Sequence, residues 1–143
     1  MAQFALMAAV AVSWFLPPRW PETVDAAFVA FGAALSFIGL ALVFAAYRAL
    51  GPAFTPLPRP REGGRLVEQG PYGVVRHPIY AGGILFFAGL ALATSVTSLV
   101  ATAALATLWA YKLEAEERWL EQKFDFYPEY RRDTPWRLIP GVF

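Results

Sequence analysis

Two short runs of chemically capable residues bracket an uncharged stretch. Arg76-His77-Pro78-Ile79-Tyr80 opens it, and Lys112 with Glu114, Glu116 and Glu117 closes it. Taken singly, each has a plain explanation. Arg76 and His77 suit snorkelling positions at a helix start, Tyr80 suits an interfacial aromatic belt, and the glutamates suit a solvated helix face. Brought together, they would form one polar site with cationic, acidic and aromatic members.

Whether they meet depends on the 35 charge-free residues between Arg76 and Lys112. As one helix, 35 residues would run to about 52 Å, against ~30 Å for the hydrocarbon core of a bilayer. The stretch must therefore fold back, through Thr94-Ser95-Val96-Thr97-Ser98, into two helices over 78–94 and 97–113. A hairpin returns both charged ends to the same side of the membrane. Pro78 fits the first turn of its helix, where a missing N–H costs little, and Gly82-Gly83 allows two helices to pack closely.

Composition agrees with a membrane setting: 57% of the 143 residues are hydrophobic and the mean hydropathy is +0.43. A charge-free run of 22 residues from Ala26 to Tyr47 is long enough for a complete span, predicted over 25–47. Residues 2–16 form a short first span, because no basic segment precedes the apolar run and no small-residue cleavage site follows it. The predicted fold is thus all-α and polytopic, with about four transmembrane helices and a helical tail, in a single membrane domain. Its parts are two N-terminal spans in 1–50, a connector over 51–76, the hairpin over 77–113 and the tail over 114–143.

Orientation follows from lysine and arginine. Five arginines lie from Arg48 to Arg76 and six Lys/Arg from Lys112 onward, against Arg19 alone between the first two spans. Both termini, the connector and the polar site are therefore expected on the cytoplasmic side. Trp14, Trp20 and Trp109 are expected as interface anchors. The segment 51–64, GPAFTPLPRPREGG, reads as an extended linker, and Gly70-Pro71 as a turn.

Several chemistries are disfavoured. Cysteine is absent, so disulfides, thiolate ligands and a cysteine nucleophile are excluded. A lone histidine argues against a protein-built zinc site, so no metal is expected. A net charge of +1 without a basic stripe gives no nucleic-acid footprint.

The motifs resemble those of a known family. GPYGVVRHPIYAGGIL, then a hydrophobic hairpin, then EAEERWLEQKFDFYPEYRR and RLIP, is similar to the isoprenylcysteine carboxyl methyltransferase and phospholipid methyltransferase family of integral membrane enzymes. The shared pattern is a Gly-x-Tyr turn (Gly70, Pro71, Tyr72), Arg-His-Pro-x-Tyr (Arg76 to Tyr80), Glu-Glu-x-x-Leu (Glu116, Glu117, Leu120), and an aromatic stretch with paired tyrosines (Phe124, Tyr127, Tyr130). The resemblance spans residues 64–140. It implies methyl transfer from S-adenosylmethionine, held between the hairpin and the tail, to a lipid or other lipophilic acceptor. Its cofactor contacts map onto Gly64, Arg65, Leu66, Val67, Tyr72, His77, Pro78, Ile79, Tyr80 and Glu116. Arg76 would face the reacting end.

The residue chemistry suits that cofactor. His77 and free N–H groups at a helix start favour an anion, Glu116 favours hydroxyls or ammonium, and Tyr72 and Tyr80 offer ring faces to a base or a cation. One position departs from the pattern. Members acting on prenylated cysteine carry an arginine one turn before the paired acids, and Lys112 stands there, a candidate substrate contact without the bidentate fork that suits carboxylates. The acceptor therefore stays open among a prenylcysteine carboxylate, an amine headgroup and a thiol. Two other classes fit part of the pattern: an NADPH-dependent membrane reductase related to sterol reductases, which share Arg-His-Pro-x-Tyr, and a non-catalytic membrane scaffold.

Overall fold

The computed structural model describes residues 2–17, 20–53 and 66–142. Among them every regular element is helical: α1 (Ala2–Ser13), α2 (Glu22–Leu50), α3 (Pro78–Leu92), α4 (Val96–Lys123) and α5 (Tyr127–Asp133), with 3-10 turns at Gly51–Ala53 and Gly70–Gly73. The stretch between Arg76 and Lys112 does break, between Leu92 and Val96. There Thr94 Oγ1 donates back to Leu90 O at 2.8 Å, while Ser95 Oγ accepts the Ser98 N–H at 3.2 Å. Serine at that position caps the new helix by satisfying one of its open amides. Helices α2 and α4 outrun their charge-free segments, because backbone hydrogen bonding does not stop where the apolar pattern ends. Of the linker expected as extended over 51–64, residues 51–53 form a 3-10 turn instead, and the rest lies outside the described residues.

Asp25–Leu50 and Val96–Lys123 are long and apolar enough to cross a membrane, whereas Gln3–Ser13 and Pro78–Leu92 are shorter apolar helices. Helix α2 leaves Phe31, Phe37, Ile38, Leu40 and Phe44 exposed. In water such a surface would be costly; in lipid it is the expected one.

The chain forms two compact units. The first comprises Met1–Ala41 and Gly82–Trp109. Within it α2 presents Gly32, Ser36 and Gly39 to α3, and Ser36 Oγ donates to Phe86 O at 3.1 Å. The backbones approach so closely that a Cβ on Gly89 would lie 2.5 Å from Gly32 O and from Ser36 N, and one on Gly39 would lie 2.6 Å from Gly82 O. Small residues of this kind let apolar helices associate where no hydrophobic drive exists between them. Helix α1 is tied in by hydroxyls: Ser13 Oγ donates to Ser98 Oγ at 3.2 Å, and Ser95 Oγ to Ser13 O at 3.3 Å. Trp109, expected as an interface anchor, is instead buried over Gly83 and against Phe87. The missing Gly83 side chain makes the room for its ring.

That close approach is testable. Gly89→Ala should force α2 and α3 apart and destabilise the protein by about 1–3 kcal/mol, read as a lower thermal midpoint in detergent. An unchanged midpoint would mean that the two backbones do not pack as described.

Candidate active site

The second unit comprises Leu42–Ala81 and Ala110–Phe143, and it contains both charged runs. Helix α4 buries a stripe at three- and four-residue spacing: Ser98, Thr102, Leu105, Trp109, Leu113 and then Glu117. Glu117 therefore occupies a core position although its neighbours in sequence are polar. Adjacent residues on a helix point about 100° apart, so Glu116 and Glu117 serve different partners.

Glu117 gathers two guanidiniums and an imidazole. Its Oε1 accepts from Arg76 Nε at 2.8 Å and lies 3.2 Å from His77 Nε2, and its Oε2 accepts from Arg137 Nε at 3.1 Å. A carboxylate held between two guanidiniums can only accept, so the His77 proton on that side sits on Nε2. Arg76 Nη1 also donates to Thr134 O and Pro135 O, at 2.8 and 2.7 Å. The backbone amides of Arg76 and His77 donate to Trp136 O and Arg137 O at 2.9 and 3.0 Å. The tail after α5 is thus strapped to the residues that lead into α3.

A third tie holds the turn at Gly70–Gly73. Gly70 has φ +62, a conformation that admits few other residues. The turn buries Tyr72, whose carbonyl accepts from Tyr130 Oη at 2.7 Å. Burial pushes the Tyr130 phenol up, with Arg76 opposing and Glu68 and Glu117 adding. Burial likewise raises Tyr72, with Glu116 and Tyr130 adding. Both stay neutral, and Tyr130 keeps the proton it donates.

Glu116 faces the other cluster. Its Oε2 accepts from Tyr80 Oη at 3.1 Å, and Lys112, one turn earlier on the same helix face, places Nζ 6.0 Å from the Tyr80 ring centroid. The His77 and Tyr80 rings meet edge to face at 6.1 Å. The two charged runs therefore converge on one polar centre: an acid, an ammonium and a phenol in one part, a buried acid with two guanidiniums and an imidazole in the other. Such an arrangement can hold a ligand of mixed charge and present a ring face to a cation.

Of the residues singled out from sequence, Arg76, His77, Tyr80, Lys112 and Glu116 come together here, and Tyr72 is bound to the same tail through Tyr130. Pro78 is fully buried at the start of α3, and Ile79 is half-buried beside it. Leu66 and Val67 lie half-buried in the extended segment before the turn. Gly64 and Arg65 lie outside the described residues. Glu117 enters the sequence pattern only as a member of the acid run and of Glu-Glu-x-x-Leu, and Arg137 only as one of three tail arginines, with Arg131 and Arg132, that could close the site. The structure separates them: Glu117 continues the buried stripe of α4, and among the tail arginines Arg137 is the one that reaches it, from 20 residues away. Among the described residues no group of three or more His, Asp or Glu side chains is placed to hold a metal ion.

Comparison with known proteins gives this geometry a context. The cobalt-zinc-cadmium resistance protein CzcN of Cupriavidus metallidurans is 36% identical to the chain over 77 residues, and the nickel-cobalt-cadmium resistance protein NccN of Alcaligenes xylosoxydans xylosoxydans is 34% identical over 77. In both cases the match covers 52% of this chain and 36% of the relative, so the chain spans well under half of either relative's length. The phospholipid methyltransferase family matches residues 27–126, from within α2 through the paired acids of α4 to the start of the tail. With most of its length and both charged runs inside that match, the chain belongs to the phospholipid methyltransferase family.

Proposed function

We propose that this chain is an integral membrane methyltransferase that takes its methyl group from S-adenosylmethionine and passes it to a lipophilic acceptor reaching the site through the bilayer. The observation that carries this is the meeting of Tyr80, Lys112 and Glu116 in a chain of this family. The residues fit the donor. The Tyr80 ring already faces an ammonium, so it offers a face to a sulfonium, and Glu116 has lone pairs for ribose hydroxyls or an ammonium. His77, Pro78, Ile79, Leu66, Val67 and Tyr72, with Gly64 and Arg65 of the connector, complete the proposed contacts.

Bound there, the donor would supply an electrophilic methyl carbon, which Tyr80 and Glu116 would hold in line with a lone pair of the acceptor. The chain's own part is alignment and charge placement. Tyr80 and Glu116 orient the donor. Lys112 contacts an anionic part of the acceptor. Arg76, with its guanidinium spent on Glu117 and two carbonyls, acts by holding the tail and His77 in place. Helices α1 to α4 form four spans, with both termini and the polar centre cytoplasmic. Helix α3, at 15 residues, is about 22 Å long and requires local thinning of the bilayer.

Titration of the purified protein with S-adenosylmethionine and, separately, with NADPH tests this. Saturable heat with the first and none with the second is the expected result. Binding of NADPH alone would favour a reductase, and binding of neither a scaffold. Methyl-labelled donor incubated with extracted membranes, followed by mass analysis of the labelled species, would then identify the acceptor.

A further inference from the structure

One buried side chain of the tail has a polar atom without a hydrogen-bond partner among the described residues. Tyr127, the first residue of α5, is 0% exposed, and its hydroxyl has no hydrogen-bond partner among the described residues. The polar groups of the two clusters have partners of their own: Arg76, His77 and Arg137 on Glu117, Tyr80 on Glu116, and Tyr130 on the Tyr72 carbonyl. The Tyr127 ring stands edge to face with Tyr130 at 5.8 Å. Burial pushes its phenol up, and the ionisable groups that act on it are Glu117, Arg76, Tyr130 and Glu116. Helix α5, which Tyr127 opens, runs into the Thr134 and Pro135 carbonyls that accept from Arg76, so Tyr127 stands on the segment strapped to this centre.

A buried hydroxyl without a partner is a cost that phenylalanine would avoid at the same ring volume. Native interiors leave few such groups, and one placed among a functional cluster calls for a partner that arrives from outside. We propose that the Tyr127 hydroxyl is a ligand contact, a hydrogen-bond donor to an oxygen or nitrogen of the bound nucleoside sulfonium; this rests on the function proposed above. Neutral at physiological pH, it can donate to a ligand oxygen without adding charge beside Glu116 and Glu117.

Removing the hydroxyl should then have opposite effects on the empty and the loaded protein. The test uses the full chain in detergent, wild type beside Tyr127→Phe and Tyr130→Phe, with S-adenosylhomocysteine as the calorimetric ligand. Tyr127→Phe should raise the ligand-free thermal midpoint by about 2 °C and weaken ligand affinity about 5-fold. Tyr130→Phe, which loses an internal bond to the Tyr72 carbonyl, should lower the midpoint instead. Wild-type affinity in Tyr127→Phe, or a lowered ligand-free midpoint in that variant, would overturn the assignment, the second by showing that protein or water already satisfies the hydroxyl. If the wild type itself fails to bind S-adenosylhomocysteine, the function proposed above fails first, and the Tyr127 assignment falls with it.

Discussion

Glu117→Ala is expected to lower stability by about 3–5 kcal/mol, because it leaves the 6%-exposed Arg76 without its counter-charge. At this chain length the loss corresponds to a thermal midpoint lower by about 10 °C or more. The reason is the number of segments that meet at one carboxylate: Arg76 and His77 before α3, α4 itself, and Arg137 of the tail. Arg76 would keep its bonds to Thr134 O and Pro135 O, but carbonyl dipoles do not neutralise a buried guanidinium. Glu117→Gln keeps the volume and one acceptor oxygen, so its midpoint should fall between those of alanine and wild type. A wild-type midpoint in the alanine variant would mean that the tail is held by its backbone bonds alone.

Glu116→Ala should act on binding rather than on folding. Glu116 is half-buried, and its bonded partner, the Tyr80 hydroxyl, sits at the end of a half-buried ring. Its removal leaves no guanidinium stranded. A hydrogen bond from a ligand to a carboxyl group is worth about 1–3 kcal/mol, so affinity for S-adenosylhomocysteine should fall roughly 5- to 100-fold while the midpoint shifts little. Tyr80→Phe removes the phenol that orients Glu116 but keeps the ring face, and a loss of only a few-fold is expected. Unchanged calorimetric affinity in Glu116→Ala would reject the proposed donor contacts, and a large drop in midpoint with unchanged affinity would make this glutamate structural. The adjacent acids are thus separable by experiment: Glu117 through melting, Glu116 through binding.

The contrast between these neighbours shows how far local pattern reaches. Helical phase is a local property, so once Ser98 through Leu113 are buried, Glu117 follows as inward-facing. What it faces is not local. Its partners come from 40 and 41 residues upstream and 20 downstream, and no periodicity in α4 specifies them. Trp109 makes the same point in the apolar unit. An aromatic near a helix end suits the interface, but the gap over Gly83 buried it instead.

From sequence alone came the helical class, the fold-back between Arg76 and Lys112, close packing at Gly82-Gly83 and the two charged runs. These rest on span length, on the period of apolar residues and on charges that lipid excludes, and each can be read within a window of neighbouring residues. Tertiary structure alone decided the division of labour between Glu116 and Glu117, the strapping of the tail onto Arg76 and His77, and the enclosure of a Tyr127 hydroxyl that has no partner among the described residues. Those outcomes depend on which distant groups compete for the same few lone pairs and donors in a space closed to water. Only the assembled chain brings the competitors together.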